Sequence, residues 1–256
     1  MKSVINLLYS WICFVFFTIL TIIGGIISLL SLIFNPGGDI SFYTMKGWAK
    51  IILWFCRIKV TVWGLENINK EITQIFASNH LSHLDILLLS SIIPVKFGWI
   101  AKKELFKLPI IGWHMKANNY IAVDRENTKK ALQSFYKSAE KIKNGSRVAI
   151  FPEGTRSREG ELQPFKKGVF HLCARTGVPI VPIYIDGTYE ALLPDTFRVH
   201  PSKVYVNIGK EIKTTGNTKG SEIKTLMNDL RESIINLQSD ITEYKKSSNT
   251  NRSLFN

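Results

Sequence analysis

The sequence predicts an α/β domain preceded by an apolar, membrane-embedded N-terminal segment, on three observations. Past residue 58, short strand-like apolar runs alternate with helical ones, the pattern of a sheet covered by helices. Val4 to Phe34 is nearly continuous Leu, Ile, Val and Phe, and Ser3 to Gly38 holds no charged residue. With 256 residues and 45% hydrophobic content, the chain can bury one substantial core.

Each part follows in order. As one helix, Val4 to Phe34 would be about 46 Å long, beyond the ~30 Å hydrocarbon core of a bilayer. Gly24-Gly25 is a candidate break, and Asn35-Pro36-Gly37-Gly38 ends the run. It is too long for a signal peptide and has no small-residue cleavage site. Residues 1–38 are therefore a membrane anchor, either spanning or dipping into one leaflet. In residues 39–58, Phe42, Met45, Trp48, Ile52 and Phe55 recur at helical spacing, with Lys46, Lys50 and Arg57 off that stripe. This segment is an amphipathic helix of the headgroup layer, or a helix packed on the core. Lys46, Lys50, Arg57 and Lys59 outnumber Lys2 on the other flank, which puts the body of the protein on the cytoplasmic side.

Residues 59–238 form a single domain with a mostly covered, mixed sheet flanked by helices. Strands are expected at Val60–Trp63, Gln74–Ala77, Phe97–Ala101, Tyr120–Val123, Val148–Phe151, Ile180–Ile185 and Val204–Ile208. Helices are expected at Leu84–Ile92, Lys129–Lys143, Lys167–Thr176 and Glu222–Gln238. Residues 239–256 are polar, lack periodicity and read as a disordered tail. Cys13, Cys56 and Cys173 have no paired spacing, which fits a reducing compartment.

Net charge is +13, and residues 100–175 carry 16 Lys and Arg against 7 Asp and Glu. Such a field attracts phosphate groups, acidic lipid surfaces or an acidic carrier protein. Nucleic acid is disfavoured, since no binding module is recognisable and the N-terminus points to a bilayer.

Asn79-His80-Leu81-Ser82-His83-Leu84-Asp85 places an imidazole and a carboxylate five residues apart at a strand-to-helix junction. A histidine oriented by a carboxylate deprotonates hydroxyls near neutral pH. The same residues also fit a helix capping box, with Ser82 as cap and Asp85 three residues on. Phe151-Pro152-Glu153-Gly154-Thr155-Arg156-Ser157 follows another apolar run. There Gly154 permits close backbone approach, Thr155 offers a hydroxyl and Arg156 a bidentate phosphate grip. Glu153 suits a hydroxyl of the bound ligand or the orientation of Arg156. Arg125 ends a strand beside Asp124, and Lys102-Lys103 follow Ile100-Ala101.

Taken in order, His80 with Asp85, Tyr120 to Arg125, Phe151 to Ser157 and Val178 to Ile183 resemble the four blocks of the glycerolipid acyltransferases. The likeness covers roughly residues 60 to 215 and is greatest to the bacterial 1-acyl-glycerol-3-phosphate acyltransferases. It implies transfer of an acyl chain from acyl-CoA or acyl-carrier protein to the hydroxyl of lysophosphatidate, giving phosphatidate for phospholipid synthesis. The implied catalytic residues are His80 as base and Asp85 as its orienter. Glu153, Gly154, Thr155, Arg156, Arg125 and Lys103 would bind the acceptor, with no cofactor and no covalent acyl-enzyme. Membrane phospholipids are implied partners, and a bacterial inner membrane is the implied location.

Other readings remain open on the residues alone. His80-x-x-His83-x-Asp85 departs from the metallohydrolase pattern, and His114, His171 and His200 have no ligand spacing. Another lysophospholipid or a lyso-aminolipid could be the acceptor. Ser82 could be a hydrolase nucleophile, though Gly-x-Ser-x-Gly is absent. A silent protein that binds anionic lipid is a further alternative.

Overall fold

The computed structural model of the chain describes residues 2–36, 38–118, 120–124 and 128–253. The helices are α1 (Lys2–Phe34), α2 (Asp39–Phe55), α3 (Leu84–Ile92), α4 (Ile111–Ala117), α5 (Thr128–Lys143), α6 (Lys167–Thr176), α7 (Thr188–Ala191) and α8 (Gly220–Ser253). The strands are β1 (Lys59–Trp63), β2 (Ile75–Ser78), β3 (Gly98–Lys102), β4 (Ile121–Val123), β5 (Val148–Ile150), β6 (Ile180–Asp186) and β7 (Lys203–Ile208). They form one sheet in the order β1-β7-β6-β2-β5-β3-β4. Neighbours run parallel except β6 and β7, so the sheet is mixed, as expected.

Strand alternation divides the core into two apolar layers. Phe76, Ala149, Val181 and Ile183 join Leu88, Leu89 and Ile52 in one layer, beneath α2 and α3. Ile75, Ala77, Val148 and Ile150 join Phe135, Ile142, Phe170 and Leu230 in the other, beneath α5, α6 and α8. Burying each large side chain of this kind stabilises the fold by roughly 1.5–3 kcal/mol.

Because β2, β3, β4, β5 and β6 share one direction, their C-terminal ends lie along one edge of the sheet. His80 follows β2, Lys103 follows β3, Asp124 follows β4 and Glu153 to Arg156 follow β5. That edge is where open α/β sheets bind ligands.

α1 is the one helix among the described residues long and apolar enough to cross a membrane, which suggests membrane association. Gly24-Gly25 does not break it. The two glycines serve packing: a Cβ on Gly25 would overlap the Ile110 side chain, and one on Gly24 would touch Trp48. α1 also lies against the rest of the molecule along most of its length. Asn6 reaches His200, Ser10 accepts a hydrogen bond from the Val199 N–H, Phe16 stacks on Phe55, and Ser28 bonds His114. Residues 6 to 28 span roughly 33 Å of helix.

α2 packs on the core, the second of the two readings of its sequence. Phe42, Ala49, Ile52 and Leu53 are buried against the core, while Tyr43, Ile51 and Trp54 stay exposed on the other side. The expectation for residues 239–256 needs correction, since α8 continues to Ser253. Ile241, one turn past Leu237, is buried; Tyr244 packs on Trp63 at 4.8 Å, and Lys245 pairs with Asp186. Polar composition hid an anchored helix face. Sequence reading also missed α4, α7 and a 3-10 turn at Lys103–Lys107.

Candidate active site

His80 and Asp85 meet as their spacing implied. The Nδ1–H of His80 donates to Asp85 Oδ2 at 2.8 Å. The same oxygen accepts the backbone N–H groups of Leu81 and Ser82, at 2.7 and 2.9 Å. The other oxygen accepts the Thr188 hydroxyl at 2.5 Å. Asp85 is fully buried and acts only as an acceptor, which assigns the imidazole proton to Nδ1 and leaves the lone pair on Nε2. Half of the capping box exists too, since Asp85 holds the Ser82 N–H, so one carboxylate starts α3 and orients His80.

The ring is fixed from its flat side as well. His80 stacks on Phe151 with centroids 3.8 Å apart and planes at 8°, and Phe151 stacks in turn on Trp99 at 5.2 Å. Its backbone is clamped by the segment after β5. The His80 N–H donates to Glu153 Oε1 at 2.8 Å, and the Ser157 N–H donates to the His80 carbonyl at 2.8 Å.

That clamp corrects the expectation for Glu153. Its second oxygen accepts the Gln163 N–H at 3.0 Å, so both oxygens serve backbone amides rather than a ligand hydroxyl or Arg156. Burial pushes its carboxyl up to about 7, against the downward pull of those two N–H bonds. Gly154 turns the chain at φ +76°, where a side chain would strain the backbone and crowd Lys166. The turn delivers Thr155 and Arg156 to the cavity that His80 faces.

This cavity holds about 630 Å³. Phe17, Thr21 and Ser28 of α1, Met45 and Trp48 of α2, Ile110 just before α4 and Met115 within it line the cavity. His80, His83, Thr155, Arg156, Arg158 and Lys102 line it too. Burial and the neighbouring Arg156 lower the pKa of His83. Arg156 donates to Asp195 at 3.3 Å, and Arg158 lies 3.9 Å from the same carboxylate.

The expected lysine also changes. Lys103 donates to Asp124 at 2.6 Å, a carboxylate at the end of the neighbouring strand, while Lys102 lines the cavity. Arg125 lies outside the described residues. Ser82 is buried, and its hydroxyl donates to the Leu192 carbonyl at 2.8 Å, directed away from a nucleophile's task. Among the described residues, no group of three or more His, Cys, Asp or Glu could hold a metal ion. Pro182 and its neighbours are buried in β6 and do not line the cavity.

Thr188, Arg158, His83 and the aromatic stack were not found from sequence. Arg158 had a faint signal, two places beyond Arg156 in an exposed Gly-flanked loop. Thr188 had none, being 103 residues from the carboxylate it holds.

Residues 59–186 match the family model described as Acyltransferase. The chain is 34% identical over 208 residues to a 1-acyl-sn-glycerol-3-phosphate acyltransferase of Limnanthes douglasii, covering 80% of this chain and 73% of that one. An enzyme of the same description from Borreliella burgdorferi is 30% identical over 169 residues, 66% of this chain and 68% of its own. The crystal structure of the 1-acyl-sn-glycerophosphate acyltransferase from Thermotoga maritima superposes with a TM-score of 0.81. That match is at 26% identity and covers 93% of this chain and 97% of that one.

Proposed function

This chain belongs to the acyltransferase family, and we propose that it transfers an acyl chain from an acyl thioester to the free hydroxyl of 1-acyl-sn-glycerol-3-phosphate. The product is phosphatidate, and the relatives named 1-acyl-sn-glycerol-3-phosphate acyltransferase support this choice of acceptor.

One observation carries the mechanism: a carboxylate-oriented imidazole faces a cavity lined mainly by apolar side chains together with the cations Lys102, Arg156 and Arg158. Nε2 of His80 takes the proton of the acceptor hydroxyl as its oxygen attacks the thioester carbonyl. Asp85 holds Nδ1–H and stabilises the imidazolium that forms. The tetrahedral adduct then collapses, the C–S bond breaks, and the imidazolium returns its proton to the departing sulfur. No acyl-enzyme forms, because the acceptor oxygen itself is the nucleophile. Arg156 and Lys102, with Arg158 beside them, suit the acceptor's phosphate, and the apolar walls suit an acyl chain. Glu153 positions His80 through its backbone. The donor is acyl-CoA or acyl-carrier protein, both acidic and matched to the basic face.

Because α1 rests on the domain over most of its length, we place it alongside the protein in one leaflet, with membrane phospholipids against its outer face. We take that leaflet to be the cytoplasmic one, whose anionic lipids suit the cations Lys46, Lys50, Arg57 and Lys59 that follow α1. Incubating purified protein with labelled acyl thioester and a panel of lysolipids tests the assignment. Labelled phosphatidate is the expected product; labelling only of another lysophospholipid or a lyso-aminolipid would move the acceptor, and free fatty acid alone would indicate hydrolysis. Ser82→Ala should keep most activity.

A further inference from the structure

We propose that His83 is a further catalytic residue, whose ring N–H stabilises the negative charge that develops on the thioester oxygen during acyl transfer. This role rests on the proposed function and supplies a part of it that His80 and Asp85 do not perform.

The reaction sets the demand. As the acceptor oxygen bonds to the carbonyl carbon, His80 takes its proton and the C=O electron pair moves onto the carbonyl oxygen. That oxyanion is stabilised best by a hydrogen-bond donor already in place, in a site that excludes much of the water. Backbone amides often serve, but several around His80 are engaged. The His80 amide donates to Glu153, and the Leu81 and Ser82 amides donate to Asp85. The Gly154 and Ser157 amides donate to the carbonyls of Phe151 and His80. Arg156 and Arg158 face Asp195 and suit the acceptor's phosphate.

His83 lies three residues past His80, immediately before α3, and both residues line the same cavity. Its side chain makes no capping bond to α3, and among the described residues no hydrogen bond holds its ring. It also lacks a carboxylate of the kind that equips His80 as a base. Burial, Arg156 and His80 lower its pKa, so near pH 7 it is a neutral imidazole that donates an N–H without giving up its proton. The same influences put it within electrostatic reach of both the base and the phosphate-binding arginine. When the adduct collapses, the electron pair restores C=O, sulfur leaves with the proton from His80, and His83 is unchanged.

His83→Phe keeps a ring and removes the donor, while His83→Gln keeps a donor. With labelled acyl thioester and lysophosphatidate, kcat of the phenylalanine variant should fall roughly 10²–10³-fold, with each KM within about threefold. His83→Gln should recover at least about tenfold of that loss. Inhibition by a phosphonate mimic of the tetrahedral adduct should weaken in His83→Phe by the factor lost from kcat/KM, which a merely structural role would not produce. Unchanged kcat in His83→Phe overturns the proposal. So does a loss confined to the KM for lysophosphatidate, which would make His83 a phosphate contact. Should His83→Phe melt early, His83→Ala replaces it, and equal kcat in His83→Ala and His83→Gln overturns the proposal. An unaltered chain that acylates no lysolipid overturns the proposed function, and this role with it.

Discussion

The segment after β2 and the segment after β5 end adjacent parallel strands, and each buries a carboxylate, yet the two carboxylates do different work. Asp85 spends its bonds on the ring of His80, two amides and Thr188, and so fixes a side chain that faces the cavity. Glu153 spends its bonds on two backbone amides and fixes the chain. Within the second segment the task is split: Glu153 and Gly154 shape the turn, while Thr155 and Arg156 reach the cavity. A shared motif therefore names a segment, and only the fold says which of its members meets a ligand.

The largest effect should come from His80→Ala, which should cut acyl transfer roughly 10²–10⁴-fold while leaving the melting temperature near the original. Retained turnover in the purified variant would remove the base from the mechanism. Asp85→Asn should cost roughly 10²-fold in turnover. It should also lower stability by about 1–3 kcal/mol, since the new amide faces buried N–H donors. Denaturant titration beside kinetics separates the two losses.

Arg156→Ala sharpens the contrast within the second segment. The KM for lysophosphatidate should rise roughly 10-fold or more with turnover largely kept, as expected for the loss of one charge-assisted phosphate bond. A turnover loss as large as that of His80→Ala would mean that Arg156 acts in the chemical step.

Glu153 gives a pH prediction. Its folded pKa of about 7 lies above the ordinary 4.5, so the folded state holds a proton that the unfolded state releases between those values. Its contribution to stability is present below about 4.5 and lost as pH rises through about 7. In Glu153→Gln that part of the pH dependence should vanish from melting curves, and the one backbone N–H left facing the new NH2 group should lower stability by about 1–3 kcal/mol. If the variant kept its fold but lost turnover as fully as His80→Ala, the proposed division between the carboxylates would fail.

The smallest effect belongs to Asp195, whose exposed carboxylate pairs with Arg156 and, on the proposed function, would compete there with the acceptor's phosphate. Asp195→Asn should tighten acceptor binding by fivefold or less, roughly the scale of an exposed ion pair. A weaker KM would show that Asp195 positions the arginine.

Much of this was readable because the signals are local. Strand runs, helix faces and the five-residue step from His80 to Asp85 each involve neighbours in sequence, and backbone periodicity decides where neighbours point. The α8 extension was misread because three anchoring side chains are few among polar ones. The sequence could not choose between Lys102 and Lys103, because the carboxylate that holds Lys103, Asp124, arrives at the end of another strand.

Composition and local pattern by themselves determined the α/β class, the long apolar N-terminal helix, the basic charge excess and the histidine–carboxylate pair. Tertiary structure alone decided that β5 lies beside β2, so that Glu153 clamps His80; that Thr188 crosses 103 residues to hold Asp85; and that α1 closes the cavity wall. Those contacts depend on sheet order and helix packing, in which residues distant along the chain become neighbours through burial of a shared core, and no short-range pattern encodes such pairings.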